Sequence, residues 1–304
     1  MYLFQKIEEL MMNYSDARKT VGQFVLDEKS KVHQYTIQEI AEKTYTSKAT
    51  VVRFAKTLGY DGWKDFLRDF ISEVKYQQLH SDDLDVNYPF DEKTTTNQMI
   101  ESLMVLQTQS IKDTYDLMDE AQLKKASQRL MKAKHITILS WSPNCYVAYL
   151  FRRKMMTIEK QVEVATLGEM GTVVRSLREG DCVILISYSG NNPKSEPMCY
   201  IELLKEKKIP VIAITSDGNN YIRKHCDCVL TMSSRERLYS KIANFATEES
   251  LQFILNCLFA LCFKQNYKQN IETKLKYGKA LEKDRITVLN QINDIPNKIT
   301  FKND

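Results

Sequence analysis

Two loops of the sequence contain the residue types that bind an anion. The segments Ser140-Trp141-Ser142-Pro143-Asn144 and Ser187-Tyr188-Ser189-Gly190-Asn191-Asn192 each follow a short apolar run. Serine hydroxyls and the backbone amides at the start of a helix bind phosphate oxygens without a metal ion. A polar loop that only caps the following helix has the same composition, so this pattern alone leaves both interpretations open.

A different chemistry is indicated by a short basic segment near the amino terminus. From Lys43 to Lys64 the sequence has five basic residues against Asp61 alone, whereas residues 1–77 as a whole have 12 basic and 11 acidic residues. A local excess of charge is usually only a solvated surface. Whether this basic segment binds a partner therefore depends on whether its charged side chains lie together on one face of a helix.

The basic residues lie on one face of a helix predicted between Ser47, a typical N-cap residue, and Gly59, a typical residue to follow a helix. Apolar residues at helical spacing would face inward: Val51, Phe54, Ala55 and Leu58. Small, hydroxyl-bearing and basic residues would lie outside that stripe: Ala49, Thr50, Arg53 and Lys56. Small residues let a helix enter the major groove of DNA, where arginine can contact guanine. An ordinary surface helix of a helical bundle would show the same stripe.

The elements that must position these residues divide the chain of 304 residues into parts. Residues 1–77 have helical periodicity throughout and predict an all-α domain. Residues 78–122 begin with linker residues such as Ser81-Asp82-Asp83 and continue into a connecting helix. Residues 123–265 form a second domain, and the polar, lysine-rich residues 266–304 are predicted to be a C-terminal tail.

The second domain has the pattern of an α/β protein. Short β-branched apolar runs alternate with helical stretches at Ile136–Leu139, Val162–Ala165, Cys182–Ile186, Pro210–Ile214 and Cys228–Met232. This alternation predicts a doubly wound parallel sheet of the flavodoxin-like kind, covered by a last helix near residues 247–263. Ligands of such sheets bind beyond the carboxyl ends of the strands, which is where both hydroxyl-rich loops lie.

Composition indicates the compartment and excludes some chemistry. The longest uncharged apolar run, Ser250–Phe263, is too short to cross a membrane. The start of the chain is charged, so no secretory leader is expected. Seven scattered cysteines favour a reduced, cytoplasmic protein. The segment His225-Cys226-Asp227-Cys228 has no second group of ligands nearby in sequence, so neither a metal nor a cofactor is predicted.

The first domain resembles the helix-turn-helix domain of RpiR-type bacterial transcriptional regulators. The matching motifs are Thr36-Ile37-Gln38-Glu39-Ile40-Ala41, Ser47-Lys48-Ala49-Thr50-Val51-Val52-Arg53-Phe54 and Leu58-Gly59-Tyr60-Asp61-Gly62-Trp63. The resemblance implies contacts with double-stranded operator DNA from Ser47, Lys48, Ala49, Thr50, Arg53 and Lys56. Two positions depart from the family: Tyr45 replaces a turn glycine, at a cost of about 1 kcal/mol if left-handed, and Lys48 replaces a proline.

The second domain resembles the sugar isomerase (SIS) domain that follows the helix-turn-helix in these regulators. The best match is Gly180-Asp181-Cys182-Val183-Ile184-Leu185-Ile186-Ser187-Tyr188-Ser189-Gly190. The resemblance implies that the domain binds a phosphosugar. The candidate ligand residues are Ser140, Ser142, Asn144, Ser187, Ser189, Gly190 and Asn192. Trp141 and Pro143 depart from the glycine-rich first loop of the family, and Asn192 stands where the family often has threonine.

The resemblance implies a DNA-binding regulator of carbohydrate metabolism that is controlled by a phosphorylated sugar. It also implies a homodimer or homotetramer that does not bind a membrane. Two alternatives remain. A regulator that has lost its ligand would explain the altered first loop. A phosphosugar isomerase would need an acid–base pair in the pocket, and no histidine accompanies Ser187 in sequence. We therefore expect no enzyme activity and no catalytic residues.

Overall fold

The computed structural model describes residues 2–79, 84–233 and 235–281. Its first part is helical, as the sequence predicts. The helices are α1 (Tyr2–Asn13), α2 (Ala17–Glu28), α3 (Ile37–Lys43), α4 (Lys48–Thr57) and α5 (Trp63–Leu79), with a 3₁₀ helix at Lys29–Gln34. The fully buried side chains of Phe54, Phe66 and Phe70 form the centre of this domain. The rings of Phe54 and Phe66 meet edge-on, with centroids 5.4 Å apart, so α4 is fixed against α5.

Local sequence fixes the two helices that form the helix-turn-helix. Thr36 and Glu39 form a capping box at the start of α3, with the Thr36 N–H donating to the Glu39 carboxylate at 2.7 Å. Ser47 Oγ accepts a hydrogen bond from the Thr50 N–H at 3.1 Å and so caps α4. Between the helices Tyr45 has a φ of 51°, which is the left-handed conformation expected of the position where the family has glycine.

The two domains are joined by an irregular stretch and a long helix. Residues 80–83, which contain the predicted linker segment Ser81-Asp82-Asp83, lie outside the described residues. Residues 84–95 have neither helical nor strand conformation, and the connecting helix α6 spans Thr96–Asp116. Helix α7 (Glu120–Lys132) then leads into the sheet. The connecting helix expected after the linker residues is therefore present as α6.

The second domain contains a sheet of five parallel strands, in the order β2-β1-β3-β4-β5. The strands are β1 (Ile136–Ser140), β2 (Val162–Val164), β3 (Cys182–Ile186), β4 (Val211–Ser216) and β5 (Val229–Met232). Every residue of β1, β3 and β4 is buried, as expected of strands covered on both faces. The predicted doubly wound α/β fold is confirmed, and the strand order reverses between β1 and β3.

Helices cover both faces of the sheet. They are α8 (Asn144–Met156), α9 (Met170–Ser176), α10 (Ile201–Glu206), α11 (Tyr221–His225), α12 (Phe245–Gln265) and α13 (Tyr267–Leu281). Alternate residues of β3 enter two separate cores: Ile184 packs with α7, α8 and α12, whereas Val183 and Leu185 pack with α9 and α10. None of the described helices combines the length and the apolar character that a membrane span requires.

Part of the polar segment that was predicted to be a C-terminal tail is helical. Residues 267–281, which fall in the predicted tail, form α13, and residues 282–304 lie outside the described part. Asn270 is buried, and its side-chain amide donates to the carbonyl of Phe263 at 2.9 Å. The rings of Phe263 and Tyr267 also meet edge-on, with centroids 5.5 Å apart. These contacts join α13 to α12, and the prediction of a tail for residues 267–281 missed this helix because its sequence is mostly polar.

Candidate functional site

A cavity of about 260 Å³ lies at the carboxyl ends of β1 and β3, where the strand order reverses. This is the position at which doubly wound sheets bind their ligands. Its walls come from four separate segments of the chain. The lining residues are Trp141, Ser142, Pro143, Asn144, Ile186, Ser187, Tyr188, Ser189, Glu196, Pro197, Leu238, Lys241, Asn244 and Thr247.

Four of the seven predicted ligand residues line this cavity: Ser142, Asn144, Ser187 and Ser189. Ser140 does not, because it is the buried last residue of β1 and its Oγ makes no hydrogen bond to a described residue. Asn192 is exposed, and its side-chain oxygen accepts from the Lys194 N–H at 3.0 Å. The structure therefore brings Ser142 and Asn144 together with Ser187 and Ser189, and it leaves Ser140 and Asn192 outside the cavity.

Gly190 shapes the second loop and lies behind the cavity lining. Its φ is 60°, and its N–H donates to Ser187 Oγ at 3.2 Å. A Cβ added here would lie 2.6 Å from Thr215 Oγ1. Gly190 is one of the predicted ligand residues, yet it is not among the residues that line the cavity. In the structure the space around Gly190 is filled by the protein itself, so glycine is required for packing and for its left-handed backbone.

The first loop places the start of α8 at the cavity. Pro143 occupies the N-cap position and has no side-chain oxygen to cap the helix, and Asn144 begins it. Both residues line the cavity. The N–H groups of the first turn and the positive end of the helix dipole therefore lie beside the Ser187 loop. Trp141 is half exposed at the same wall, where an aromatic face suits the apolar face of a sugar ring.

Lys241 adds a positive charge that the sequence analysis missed. It lines the cavity, and its Nζ lies 3.8 Å from the Glu236 carboxylate and 5.5 Å from the centroid of the Tyr188 ring. Burial lowers the pKa of Lys241 and raises that of Glu236. Because an ammonium group attracts phosphate, Lys241 strengthens the case for an anion. The signal that could have found it is topological, since its segment also follows the carboxyl end of a strand.

Glu236 is committed to the start of α12. Its carboxylate accepts from the Ala246 N–H and from Thr247 Oγ1, both at 2.5 Å. It therefore caps a helix whose own N-cap residue, Asn244, has no side-chain capping bond. Two further glutamates, Glu248 and Glu249, lie near the start of the same helix. Glu248 lies in the first turn of α12, and Glu249 accepts from the Gln107 amide at 3.4 Å.

The second candidate surface is the exposed face of α4. All six predicted contact residues lie at its start or on its outer side, with Val51, Phe54 and Ala55 buried against the domain core. Lys48, Ala49, Arg53 and Lys56 are exposed. Tyr45, in the turn before α4, is 97% exposed. This arrangement leaves the small and basic face open to a partner such as the major groove.

Arg18 is a basic neighbour of α4 that the sequence analysis did not single out. Its guanidinium donates to Thr57 Oγ1 at 3.5 Å and lies 3.5 Å from the centroid of the Tyr14 ring. Three hydrogen bonds tie its guanidinium to the Asp16 carboxylate, which raises the pKa of Arg18. This positive charge at the carboxyl end of α4 extends the basic surface beyond the helix itself. It could not be placed there from sequence because α2 and α4 meet only in the folded domain.

The residues 225–228 that resemble a metal motif have other partners. His225 Nδ1 lies 2.8 Å from the Glu202 carboxylate, and the His225 ring stacks on Tyr221 at 4.0 Å. Asp227 pairs with Arg129, which holds the pKa of that carboxyl well below its usual range. Burial raises the pKa of Cys226 to about 11. These residues therefore join helices to the edge of the sheet.

Comparison with known proteins identifies both domains. Residues 1–75 match the helix-turn-helix domain of the rpiR family, and residues 129–260 match the SIS domain. The chain belongs to the RpiR family. The two matches coincide with the helical domain that carries α4 and with the parallel-sheet domain that carries the cavity.

Relatives of this RpiR-family protein have the same length and order of domains. An uncharacterized HTH-type transcriptional regulator of Providencia stuartii is 25% identical over 288 residues, which is 94% of this chain and 97% of the relative. The HTH-type transcriptional regulator YbbH of Bacillus subtilis is also 25% identical, over 86% of this chain and 90% of its own. Both relatives are named as transcriptional regulators, and this chain aligns with nearly the whole length of each.

Two solved structures share the fold. The Vibrio vulnificus NanR protein, complexed with ManNAc-6P, has a TM-score of 0.58 at 18% identity and covers 92% of this chain and 97% of its own. The sugar isomerase domain of an RpiR transcription factor from Sphaerobacter thermophilus has a TM-score of 0.52 at 15% identity, over 60% of this chain and 99% of its own. The first likeness extends across both domains, and the second is confined to one.

Proposed function

We infer that the protein is a transcriptional regulator of carbohydrate metabolism, in which α4 contacts operator DNA and the cavity binds a phosphorylated sugar. The observation that carries the proposal is the convergence on one cavity of Ser187, Ser189, Lys241 and the uncapped start of α8. Hydroxyls, amides at a helix start and an ammonium group are the partners that a phosphate prefers. The same chain presents a basic helix-turn-helix face.

The lining of the cavity supports a sugar as the part of the ligand that carries the phosphate. Trp141 and Tyr188 supply aromatic surface, and Ser142, Asn144 and Thr247 supply hydroxyl and amide groups around the same cavity. Alternation of aromatic and polar groups suits a ring that has both hydroxyls and an apolar face. The NanR structure with ManNAc-6P supports a phosphorylated amino sugar as the first compound to test.

The proposed effector site argues against the alternative of a regulator that has lost its ligand. Trp141 and Pro143 do stand in the first loop, as the sequence showed, yet Ser142 and Asn144 still line the cavity beside them. The substitutions therefore change the wall and leave polar groups in it. We propose that they alter which sugar is bound and leave phosphate binding to the second loop.

For DNA recognition we propose a homodimer or homotetramer. A single helix-turn-helix unit contacts too few base pairs for tight specific binding, and paired units read two half-sites. We propose that the protein works in the cytoplasm and has no enzyme activity. The buried carboxylate of Glu236, 3.8 Å from the cavity-lining Lys241, is occupied by the cap of α12 and so is poorly placed to move a proton of the ligand.

Thermal unfolding with ManNAc-6P and other sugar phosphates, each beside its unphosphorylated sugar, tests the ligand. A compound at 100 times its Kd stabilises the folded state by about 2.7 kcal/mol, which raises Tm by roughly 2–4 °C per kcal/mol. We expect a sugar phosphate to raise Tm and its unphosphorylated sugar to leave Tm unchanged. In Ser187→Ala the rise in Tm should be lost. The matched control is Ser72→Ala, at an exposed serine of α5. An equal shift in both variants would contradict the site.

Turnover tests the remaining alternative. Incubation of the purified protein with the same aldose and ketose phosphates, followed by separation of the isomers, should show no conversion. Conversion that disappears in Glu236→Gln would contradict the assignment of a regulator without catalysis.

A further inference from the structure

Helix α1 belongs to the DNA-binding domain, yet two of its side chains reach the walls of the cavity. Glu9 and Glu8 are adjacent on α1 and contact different segments of the second domain. The remaining face of α1 is apolar and buried in the core of the first domain, at Leu3, Phe4, Ile7 and Leu10. A rigid helix with one face in each domain is the simplest device by which one domain can affect the other.

Glu9 contacts the loop that we propose to bind phosphate. Its carboxylate accepts a hydrogen bond from the Asn191 amide at 3.5 Å, and the neighbouring Ser189 hydroxyl is first among the groups that lower its pKa against the effect of burial. Ser189 also lines the cavity. A serine hydroxyl has one proton to donate, so it cannot serve the Glu9 carboxylate and a bound phosphate at the same time. Burial also raises the pKa of Glu9, which shows that the contact lies in a desolvated place.

Glu8 holds the opposite wall. Its Oε2 accepts from the Leu238 N–H at 2.7 Å and the Tyr239 N–H at 3.5 Å, and its Oε1 lies 3.8 Å from Arg237 Nε. Leu238 lines the cavity, three residues before Lys241. The two carboxylates of α1 therefore fasten both the Ser187 loop and the Lys241 segment, which are the two walls that carry the groups suited to a phosphate.

The same helix contacts the end of α4. Lys6 Nζ donates to the carbonyl of Leu58, the C-cap residue of α4, at 3.3 Å. The Phe4 and Phe70 rings stack with centroids 5.1 Å apart, which fixes α1 against α5. A displacement of α1 relative to the cavity would therefore carry the whole helix-turn-helix domain with it.

We propose that a phosphate group in the cavity competes with the Glu9 carboxylate for Ser189 and releases α1 from the cavity wall, so that ligand binding repositions the DNA-binding domain. The inference rests on the proposed function, because it names how that cavity is regulated. Two effects act in the same direction: one hydroxyl proton is shared between two acceptors, and two negative charges approach in a partly desolvated site. Because linkage is reciprocal, weakening the Glu9 contact must tighten phosphate binding by the same factor.

The test measures binding of inorganic phosphate to the full chain by isothermal titration, in the natural sequence and in Glu9→Gln. Glutamine keeps an acceptor for Ser189 and removes the charge. We expect at least about fivefold tighter phosphate binding, the lower end of usual coupling between sites. Glu9→Ala removes both charge and acceptor and should tighten binding further, and alanine favours the helix. The matched control is Glu42→Gln, an exposed glutamate of α3, which should leave phosphate affinity unchanged.

Amide hydrogen exchange of Leu238 and Tyr239, whose N–H groups donate to Glu8 of α1, gives the second readout. Phosphate should speed exchange of these two amides in the natural sequence, and in Glu9→Ala their exchange should already be faster without phosphate. If phosphate binds equally to both sequences and the exchange of these amides does not respond, the competition is wrong while the proposed function stands. If neither sequence binds phosphate or any sugar phosphate, the proposed function fails and the competition fails with it.

Discussion

The DNA-contact face and the cavity are built in opposite ways. The face of α4 is made by one continuous segment, Ser47–Gly59, whose caps, stripe and exposed charges are all local. The cavity takes its walls from loops that start near residues 141, 186 and 196 and from the segment 238–247. A surface on one helix depends mainly on the residues that form and cap that helix. A cavity assembled from distant loops depends also on whatever holds those loops in place.

The charges of the two regions differ for the same reason. Lys48, Arg53 and Lys56 are exposed, so salt screens them, and the contact with DNA that we propose for them should weaken as ionic strength rises. Lys241 is inside the second domain, and burial lowers its pKa. Salt screens buried and partly buried charges much less than exposed ones. The two regions should therefore respond differently to salt and to substitutions that alter packing.

The largest effect should come from a glycine of the cavity loop. Gly190→Ala forces a side chain to within 2.6 Å of Thr215 Oγ1 and onto a backbone with φ of 60°. Strain and overpacking together should lower the free energy of unfolding by about 3 kcal/mol and abolish sugar-phosphate binding. The control is Gly168→Ala in the same domain, where φ is 84° and a Cβ has no described atom within 4 Å.

Thermal unfolding of the two variants isolates the packing contribution, since both positions are left-handed. Equal loss of stability in Gly190→Ala and Gly168→Ala would show that the cavity loop is free to move. The contrast between an assembled cavity and a local surface would then be broken.

The next effect concerns the local surface itself. Arg53→Ala removes an exposed guanidinium from the centre of α4 and no buried contact. We expect DNA binding to weaken by about 1–3 kcal/mol, with thermal unfolding unchanged. The unsubstituted protein is first used to select a DNA duplex from a random pool. Affinity for that duplex is then measured by fluorescence anisotropy at fixed salt concentration. Lys31→Ala, an exposed lysine of the 3₁₀ helix, is the control. Equal affinity of Arg53→Ala and the natural sequence would exclude this face from the DNA contact.

Much of the fold and part of the site could be predicted from the sequence, and the division follows the same contrast. The five strands, the α4 stripe and its Ser47 cap could be predicted from neighbouring residues alone. The structure has all of them within one or two residues of the predicted positions. Lys241 was missed because residues 233–244 have no periodicity. Distant partners hold that segment: Asn87 accepts from the Arg237 N–H at 2.7 Å, and its carbonyl accepts from the Ile242 N–H at 3.0 Å.

A smaller effect is expected at the end of α4. Gly59 has a φ of 93°, and a Cβ there would meet no described atom within 4 Å. Gly59→Ala should therefore cost only the backbone strain, about 1 kcal/mol. The measurement is the unfolding midpoint, compared with Gly62→Ala, where no left-handed backbone is involved and a Cβ also meets no described atom within 4 Å. A loss as large as that in Gly190→Ala would mean that the local region also depends on distant packing.

The smallest effect should be a gain of stability in the turn before α4. Tyr45 is left-handed, with φ of 51°, and is 97% exposed, so its side chain contributes almost no burial to offset the strain. Tyr45→Gly should release about 1 kcal/mol of strain, reduced by the greater freedom of glycine in the unfolded chain. The net gain should be a few tenths of a kcal/mol, visible as a slightly higher Tm. Tyr45→Asn, which tolerates the same backbone and keeps a polar side chain, should behave alike. If both variants keep their stability and lose DNA affinity, the exposed ring is retained for contact with DNA, and the turn must then be counted with α4 as part of the local recognition surface.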